Sequence, residues 1–321
     1  MTDNKRINIM TSCDDNLAIQ LPVLLQSIAD NLSDKDVHFY LFHTSVSKTN
    51  IELLDKLCKY YGMMHLHEVV IPNPEDYEVL TKAGGGWCKE AYYSFCAHEL
   101  LPRDMERILY LDAGDVVING KIDGFYFGDF EDCSLLVTPG RYKKKDNQLI
   151  VYDAEDLADK NALEGMVNGI FNSGSYVMNL EKMRREGYSM KDYQFLSRTL
   201  QEVLGKKEKA YVGDQGLLSV AFAGDIKYFG YPQVRNLWFM PFDFGVWYFD
   251  RMKELPGYDP RIIHFSGVRF KPWKGKYPIF LERFQDKSQL HPLSDLKLGQ
   301  AEYYYLWHEY AIKAENTLKK I

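Results

Sequence analysis

Short apolar segments alternate with helix-periodic segments over the first 70 residues of the chain. Strands are predicted at residues 7–11, 37–43 and 65–70, because each is a short run rich in aliphatic or aromatic side chains. Between them, residues 21–32 and 51–61 repeat apolar side chains at helical spacing. This β-α-β-α-β order predicts an α/β fold with a parallel sheet, covered by helices, that binds nucleotides at the carboxyl ends of its strands.

Two later apolar segments end in side chains that can bind a metal ion. Residues 108–111 predict a compact strand whose carboxyl end carries Asp112 and Asp115, and an apolar pair places His264 at another predicted strand end, with Lys271 beyond it. Carboxylates are ligands for hard divalent cations, and imidazole is an acceptable third ligand for manganese. A nearby lysine could neutralise phosphate oxygens. Taken alone, however, a short acidic motif is more often a solvated turn.

Charge and composition narrow the classes of function. The 39 basic and 45 acidic residues give a formal net charge of -6, which does not support binding to nucleic acid as the main activity. No apolar run reaches the roughly 18 residues of a membrane span, and no signal peptide precedes the first strand, so we expect a cytoplasmic protein. Five cysteines without a C-x-x-C pair predict buried thiols and neither disulfides nor a zinc site.

Six segments that follow one another in a fixed order carry a family resemblance. They are Ser12-Cys13-Asp14-Asp15-Asn16, Tyr92-Tyr93 with Leu100-Leu101-Pro102, Ile108 through Asp115, Phe171-Asn172-Ser173-Gly174, Asp214-Gln215, and His264 through Trp273. In this order, and over roughly residues 7–310, the chain resembles glycosyltransferase family 8, in particular its bacterial galactosyl- and glucosyltransferases, which are relatives of glycogenin.

The resemblance implies a fold and a reaction. The fold is GT-A, with a Rossmann-like, mostly parallel central sheet flanked by helices over residues 1–280 and a helical C-terminal extension at residues 281–321 packed on it. The implied reaction is a retaining transfer of a hexose from a UDP-sugar to a hydroxyl acceptor, such as a glycan or a lipid-linked precursor of a polysaccharide. The implied cofactor is Mn²⁺ or Mg²⁺.

The resemblance also assigns roles to individual residues. It implies that Asp14, Asp15 and Asn16 contact the uridine, that Asp112, Asp115 and His264 bind the metal, that Gly267 and Lys271 lie against the phosphates, and that Asn172, Asp214 and Gln215 surround the transferred sugar. Because an amide is a poor nucleophile, Gln215 at the sugar-facing position favours front-side attack by the acceptor over a covalent intermediate.

Four departures from the family pattern affect these expectations. Three residues separate Gly267 from Lys271 where two are usual, which predicts a reshaped phosphate loop. Leu17 stands where an aromatic residue usually stacks on the uracil, and Ser94 replaces the usual arginine near the metal aspartates. Gly114 is an extra residue within the acidic motif. Because residues i and i+3 of a strand do not share a face, we expect a glycine bulge that returns Asp115 to the side of Asp112.

Several alternatives stay open. Lys89 is a candidate substitute for the missing arginine, and a UDP-sugar-binding protein with impaired catalysis is the main alternative to an active enzyme. A nucleotidyltransferase is disfavoured, because residues 12–18 lack the glycine-rich, basic loop that such enzymes use after their first strand. The aromatic tail at residues 303–321 predicts a helix packed on the core, with peripheral contact at the inner face of the membrane as the second interpretation.

Overall fold

The structure is a computed structural model that describes residues 5–81, 87–138, 143–145, 148–150, 171–204, 213–229, 239–241, 260–266, 271–274 and 298–321. Its strands are β1 (Arg6–Ser12), β2 (Asp36–His43), β3 (Met64–Val70), β4 (Arg107–Leu111), β5 (Val116–Ile118), β6 (Leu135–Val137), β7 (Lys143–Lys145), β8 (Gln148–Ile150), β9 (Ser175–Asn179), β10 (Ile226–Tyr228), β11 (Phe239–Pro241) and β12 (Ile262–His264).

The helices alternate with these strands. The α-helices are α1 (Asp15–Ala18), α2 (Leu21–Asn31), α3 (Lys48–Tyr61), α4 (Glu75–Thr81), α5 (Ala97–Leu100), α6 (Asp123–Tyr126), α7 (Leu180–Glu186), α8 (Met190–Leu204), α9 (Asp214–Ala221) and α10 (Leu298–Leu318). Two 3₁₀ helices span Lys89–Cys96 and Pro272–Lys274.

The main sheet has seven strands in the order β10-β6-β9-β4-β1-β2-β3. Strand β1 pairs in parallel with both β2 and β4, and β3 continues the parallel set at the edge. Strand β9 is antiparallel to both β4 and β6. The predicted mostly parallel sheet is therefore confirmed, with one antiparallel strand inserted into it.

Side chains that alternate along the central strands build two apolar layers, one on each face of the sheet. Ile9 of β1 and Phe39 of β2 belong to the layer that also contains the buried sides of α2 and α3. Met10 of β1 and Phe42 of β2 belong to the opposite layer, with the aromatic residues of the first 3₁₀ helix. All four side chains are fully buried, and burying each stabilises the fold by about 1.5–3 kcal/mol.

The helix-like pattern of residues 88–101 predicts a single helix, but the structure divides this segment into two elements. It forms the 3₁₀ helix Lys89–Cys96 followed by the short helix α5. In a 3₁₀ helix residues i and i+3 lie above one another, which places Tyr92 and Phe95 together in the core with ring centroids 5.5 Å apart. Burial of adjacent aromatic side chains thus overrides the α-helical preference of the segment.

A second, smaller sheet lies beside the first and has the order β11-β12-β5. Strands β12 and β5 are antiparallel, with Val116 opposite His264 and Ile118 opposite Ile262. The backbone N–H of Phe265 also donates to the carbonyl of Asp115 at 2.7 Å. These pairings bring residues nearly 150 positions apart in the chain to one place.

The C-terminal helix α10 packs on α2. The amide of Asn31 donates to the Tyr310 hydroxyl at 2.9 Å, and Lys313 Nζ lies 2.8 Å from an Asp30 oxygen. Trp307 is fully buried and donates its indole N–H to the carbonyl of Gly114 at 3.3 Å. Among the described residues, no helix is both long and apolar enough to cross a bilayer.

Two sequence predictions fall largely outside the described residues. Residues 141–168 are polar and without periodicity, a pattern that predicts irregular chain outside the main sheet. Within this segment, β7 and β8 pair with each other in a separate two-stranded sheet. The remainder of that segment, and Gly267, lie outside the described residues.

Candidate metal and donor site

Three side chains that can bind a metal converge beyond the carboxyl end of β4. Asp112 directly follows β4, Asp115 directly precedes β5, and His264 is the last residue of β12. The His264 Nε2 atom lies 3.2 Å from Asp112 Oδ2 and 3.4 Å from Asp115 Oδ2. One ligand atom from each residue lies within 4.8 Å of the others, so all three can face a single ion.

Gly114 makes this convergence geometrically feasible. Its φ of +77° lies in the left-handed region, which glycine adopts without the steric cost of a Cβ atom. A Cβ at this position would also lie 2.6 Å from Gln20 Cβ, closer than such atoms approach. The structure brings Asp115 to the side of Asp112 through a turn between β4 and β5, where the sequence predicted a bulge within one strand.

His264 is oriented by the turn that precedes β9. The Asn172 Oδ1 atom lies 2.8 Å from His264 Nδ1 and also accepts the backbone N–H of Gly174 at 2.9 Å. Because Oδ1 only accepts, the His264 Nδ1–H donates to it, which directs Nε2 towards the two aspartates. A Cβ on Gly174 would lie 2.2 Å from His264 Nδ1, so only glycine leaves space for this ring.

The charges of the cluster shift one another's pKa values. Burial favours the neutral form of Asp115, but the positive charges of Lys271 and His264 outweigh it and lower the pKa of Asp115 to about 2. Burial likewise opposes the charged form of His264, yet Asp115 and Asp112 raise the pKa of His264 to about 9. Lys271 Nζ contacts Asp115 Oδ2 directly.

The donor set fits a divalent cation. It offers two carboxylates and one imidazole, a mixture that suits manganese and includes the oxygen ligands that magnesium needs. The second oxygen of Asp115, Oδ1, is buried and has no hydrogen-bond partner among the described residues. Since a buried oxygen without a partner is costly, this atom is a further position at which a cation would be stabilised.

Asp214 and Gln215 begin helix α9 and approach the same turn as Asn172. The Ser173 hydroxyl donates to Asp214 Oδ2 at 2.7 Å, and the Ser173 backbone N–H donates to Gln215 Oε1 at 3.2 Å. Burial, with a smaller effect from the charge of Asp112, raises the pKa of Asp214 to about 6. The sequence segments 112–115, 172–174 and 214–215 thus lie around one site.

The residues after β1 make mainly structural hydrogen bonds. Asp14 caps α1 by accepting the backbone N–H of Leu17 at 2.9 Å, and it also accepts the side-chain amide of Asn16 at 3.0 Å. Asp15 Oδ1 accepts the backbone N–H of Ser47 and the amide of Asn50, each at 2.7 Å. Asp15 therefore connects the loop after β1 to the beginning of α3.

Lys89 and Ser94 lie on the same 3₁₀ helix but in different surroundings. Ser12, at the end of β1, donates its hydroxyl to the Glu90 carbonyl at 2.7 Å, which places Lys89 near the predicted nucleotide end of the sheet. Ser94 is fully buried and accepts a hydrogen bond from the Tyr176 hydroxyl at 2.8 Å. Within the described part of the chain, Lys89 forms no ion pair with Asp112 or Asp115.

Sequence reasoning did not assign three residues that support the site. Tyr110 donates its hydroxyl to Asp112 Oδ1 at 2.8 Å, while Ser173 and Gly174 contact Asp214 and His264. The position of Tyr110, two residues before Asp112, is a signal that was available, because residues i and i+2 of a strand share a face. The contact between Gly174 and His264 leaves no comparable local signal.

The mostly parallel central sheet flanked by helices matches the GT-A fold of solved glycosyltransferase structures. A crystal structure of the galactosyltransferase LgtC in complex with donor and acceptor sugar analogs superposes with a TM-score of 0.63 at 18% identity, over 96% of each chain. The glycosyltransferase GlyE of Streptococcus pneumoniae superposes with a TM-score of 0.58 at 15% identity, over 98% of this chain and 63% of GlyE. Mouse xyloside xylosyltransferase 1 superposes with a TM-score of 0.52 at 12% identity, over 83% of this chain and 99% of the mouse chain.

The family model for glycosyl transferase family 8 matches residues 8–276, and the chain belongs to this family. It is therefore a glycosyltransferase. No curated protein sequence matches the chain.

Proposed function

We propose that the chain is a retaining, metal-dependent transferase that moves a hexose from a UDP-sugar to a hydroxyl acceptor. The observation that supports this most directly is the convergence of Asp112, Asp115 and His264 at 3.2 and 3.4 Å, in a member of glycosyltransferase family 8. The acceptor that we favour is a glycan or a lipid-linked precursor of a polysaccharide.

Asp112, Asp115 and His264 would hold the cation, which we take to be Mn²⁺ or Mg²⁺. When bound, it would stabilise the negative charge that develops on the diphosphate leaving group. Asn172 keeps the protonated Nδ1 of His264 turned away, so that Nε2 serves as the ligand atom. The proton that His264 carries on Nε2 without metal must leave before the ring can bind.

Residues outside the metal cluster would bind the diphosphate and the uridine of the donor. Lys271, which contacts Asp115, is close enough to the metal cluster to meet the diphosphate, and we assign Gly267 and Lys89 to the same part of the donor. Asp14, Asp15 and Asn16 would meet the uridine. Because the hydrogen bonds of Asp14 and Asp15 fix the loop after β1, we expect Asn16 and loop backbone groups to make much of that contact.

The transferred sugar would lie against Asn172, Asp214 and Gln215. The Asn172 oxygen already accepts two hydrogen bonds, so its NH₂ group is the part that we assign to a sugar hydroxyl. Ser173 orients both side chains, because its hydroxyl donates to Asp214 and its backbone N–H donates to Gln215. Since Gln215 carries an amide, we favour front-side attack, in which the acceptor hydroxyl gives its proton to the departing phosphate.

The decisive experiment measures UDP release from UDP-glucose, UDP-galactose and the N-acetyl sugars with Mn²⁺. Replacing Asp112 with Asn keeps the shape of the side chain but removes its charge, and we expect turnover to fall roughly 100-fold or more. Asp34→Asn is the matched control, because Asp34 lies on the surface and pairs with Lys121. Full turnover of the Asp112→Asn variant would refute the metal assignment.

A UDP-sugar-binding protein with impaired catalysis is the second candidate. The observation that favours it is the buried Ser94, whose hydroxyl bonds to Tyr176 at a position where the family usually carries arginine. Calorimetry separates the two candidates. Tight, manganese-dependent UDP binding without transfer or hydrolysis for any donor would favour the binding protein.

We further propose that residues 1–280 form the glycosyltransferase domain and that residues 281–321 form a helical extension. The contacts of α10 with α2 and with the Gly114 carbonyl support this division. We place the enzyme in the cytoplasm, with at most peripheral contact at the inner face of the membrane. Removing residues 312–321 should leave any binding to anionic liposomes unchanged if α10 serves only to pack on the core.

A further inference from the structure

A group of histidines lies at the opposite end of the sheet from the candidate donor site. Asp36 and His38 belong to the beginning of β2, and His65 and His67 belong to the beginning of β3. The strands of a parallel sheet are about 20 Å long for seven residues, so this group is separated from the residues that follow β1 and β4. Three of the eight histidines of the chain lie here.

Strand register places these side chains together without any contribution from loops. Residues i and i+2 share a face, which aligns Asp36 with His38, and the parallel register sets His38 directly beside His65. The two rings lie against each other, with centroids 4.9 Å apart, and the Asp36 carboxylate contacts both, with Oδ1 3.0 Å from His65 Nε2 and Oδ2 3.3 Å from His38 Nε2. One ligand atom from each residue lies within 4.8 Å of the others.

We propose that Asp36, His38 and His65 form a second divalent-metal site, which takes Zn²⁺ or a similar transition metal. A tetrahedral zinc ion with ligands at about 2.0–2.2 Å requires ligand atoms about 3.3 Å apart. Each imidazole Nε2 lies near that distance from one oxygen of Asp36, at 3.3 Å for His38 to Oδ2 and 3.0 Å for His65 to Oδ1. Two imidazoles and one carboxylate suit zinc, copper and nickel better than magnesium. The fourth position faces water, since the Asp36 and His65 side chains are 49% and 53% exposed.

The residues around the ligands would hold His38 in the required orientation. His67 Nε2 lies 2.8 Å from His38 Nδ1, on the side of the ring away from the carboxylate. With a cation on Nε2, the His38 Nδ1–H donates to His67, which is the kind of outer partner that metal-bound histidines use. The His67 ring is itself fixed by stacking on Tyr40 at 4.5 Å. Arg6 Nη2 lies 3.4 Å from the same Nδ1, on the side opposite the ion. Because a guanidinium only donates, Arg6 would give up this contact when the Nδ1–H donates to His67.

A bound ion would join the edge strand β3 to β2. It would fix the beginning of β3, the edge strand, against β2. We expect it to have no direct effect on sugar transfer, because its ligands lie at the opposite end of the sheet from Asp112. The two sites offer different numbers of nitrogen ligands, because the candidate donor site contains one imidazole and this site contains two.

Calorimetric titration of the full chain with Zn²⁺ tests the proposal. We expect the unmodified protein to bind one equivalent more than the His65→Ala variant, or to bind that equivalent at least about tenfold more tightly. His65 is exposed, so its replacement should leave the fold and Mn²⁺-dependent transfer unchanged. His38→Asn serves as a second variant at a different ligand, and Asp34→Asn is the control, two residues from Asp36 but outside the ligand set.

Electron paramagnetic resonance with Cu²⁺ gives an independent result. Hyperfine coupling to two imidazole nitrogens in the unmodified chain, reduced to one in His65→Ala, would support the site. Equal zinc stoichiometry and affinity in the unmodified chain, His65→Ala and His38→Asn would overturn it, and the cluster would then be hydrogen-bonded histidines only.

Discussion

Asn172 and Gly174 fix the orientation of His264 from the two sides of one turn. The Asn172 oxygen receives the Nδ1 proton, and the missing side chain of Gly174 leaves space for the ring. Even a small side chain at position 174 would displace the ring, because the Cβ of an alanine or serine would occupy the position of the imidazole. The orientation of His264, a proposed metal ligand, thus depends on a glycine, which has no functional side chain.

Gly174→Ala should weaken Mn²⁺ binding strongly. The added Cβ would lie 2.2 Å from His264 Nδ1, so the ring must move and lose its bond to Asn172, and overpacking of this kind costs about 1–3 kcal/mol of stability. Gly187→Ala is the control for Mn²⁺ binding, because a Cβ there meets nothing within 4 Å. Its φ of +74° is unfavourable for alanine, so this variant should lose stability without losing Mn²⁺ affinity. Calorimetry with Mn²⁺ and urea unfolding check both variants. Unchanged Mn²⁺ affinity in Gly174→Ala would contradict the role of this glycine.

Asp214→Asn should stabilise the metal-free protein at neutral pH. Burial raises the pKa of Asp214 from 3.8 to about 6. The charge of Asp214 therefore does not destabilise the fold below pH 3.8, destabilises it increasingly up to about pH 6, and destabilises it by about 3 kcal/mol above that pH. Asparagine removes the charge and still accepts the Ser173 hydroxyl. Urea unfolding with EDTA should therefore show a larger gain at pH 7.5 than at pH 4.5. An equal gain at both values would show that the charge is not the cause.

At the scale of secondary structure, several elements are held by contacts that their own sequences do not contain. Helix α7 is an example, because the Arg184 side chain reaches from it to the loop around α5. Its guanidinium donates to the carbonyls of His98 at 2.8 Å, Pro102 at 2.9 Å and Met105 at 2.7 Å. Five donors in a fixed plane make arginine suited to such a loop, whereas lysine offers one flexible ammonium group.

Arg184→Lys should lower the free energy of unfolding by about 2–3 kcal/mol, because several of these hydrogen bonds cannot be replaced by one ammonium group. The neighbouring Arg185 provides a matched control, since it is exposed and its guanidinium pairs with the carboxylates of Asp132 at 2.8 Å and Glu186 at 3.8 Å. Urea unfolding should show a clear loss for Arg184→Lys and little change for Arg185→Lys. Identical urea unfolding midpoints for the two variants would contradict a stabilising role for the Arg184 hydrogen bonds.

At the scale of the whole molecule, the candidate site is assembled from segments that are far apart in sequence. The turn at 112–115 joins β4 of the main sheet to β5 of the smaller one, and antiparallel pairing of β5 with β12 delivers His264. The insertion of β9 next to β4 brings the turn at 172–174 alongside, and the Asp112 backbone N–H donates to the Gly174 carbonyl at 3.1 Å. A bound cation would therefore connect both sheets.

Mn²⁺ should consequently stabilise the whole chain against heat. A ligand that binds only the folded state adds about 1.4 kcal/mol at ten times its dissociation constant, which should appear as a rise in Tm that grows with Mn²⁺ concentration. Asp112→Asn should abolish the rise. Asp55→Asn, which alters a surface pair with Lys59 on α3, should retain it. A rise of equal size in the Asp112→Asn variant would place the stabilising ion elsewhere.

The sequence by itself determined the local elements and the chemistry that they carry. Strands β1 to β4 and helices α2 and α3 follow their apolar periodicity to within a few residues, because that pattern depends on neighbours along the chain. The acidic turn and His264 were identified as metal-binding candidates from residue type and from their positions at strand ends. The ordered motifs indicated glycosyltransferase family 8, which the family match confirms.

Only the tertiary structure decided how these pieces meet. The antiparallel insertion of β9, the pairing of β5 with β12 and the 3₁₀ helix at Lys89–Cys96 all arise from packing between distant segments. The same holds for the contact between Gly174 and His264 and for the histidine group on β2 and β3. Sequence patterns report which side of an element is apolar, whereas the identity of the partner across a sheet is fixed by the energy of the completed core.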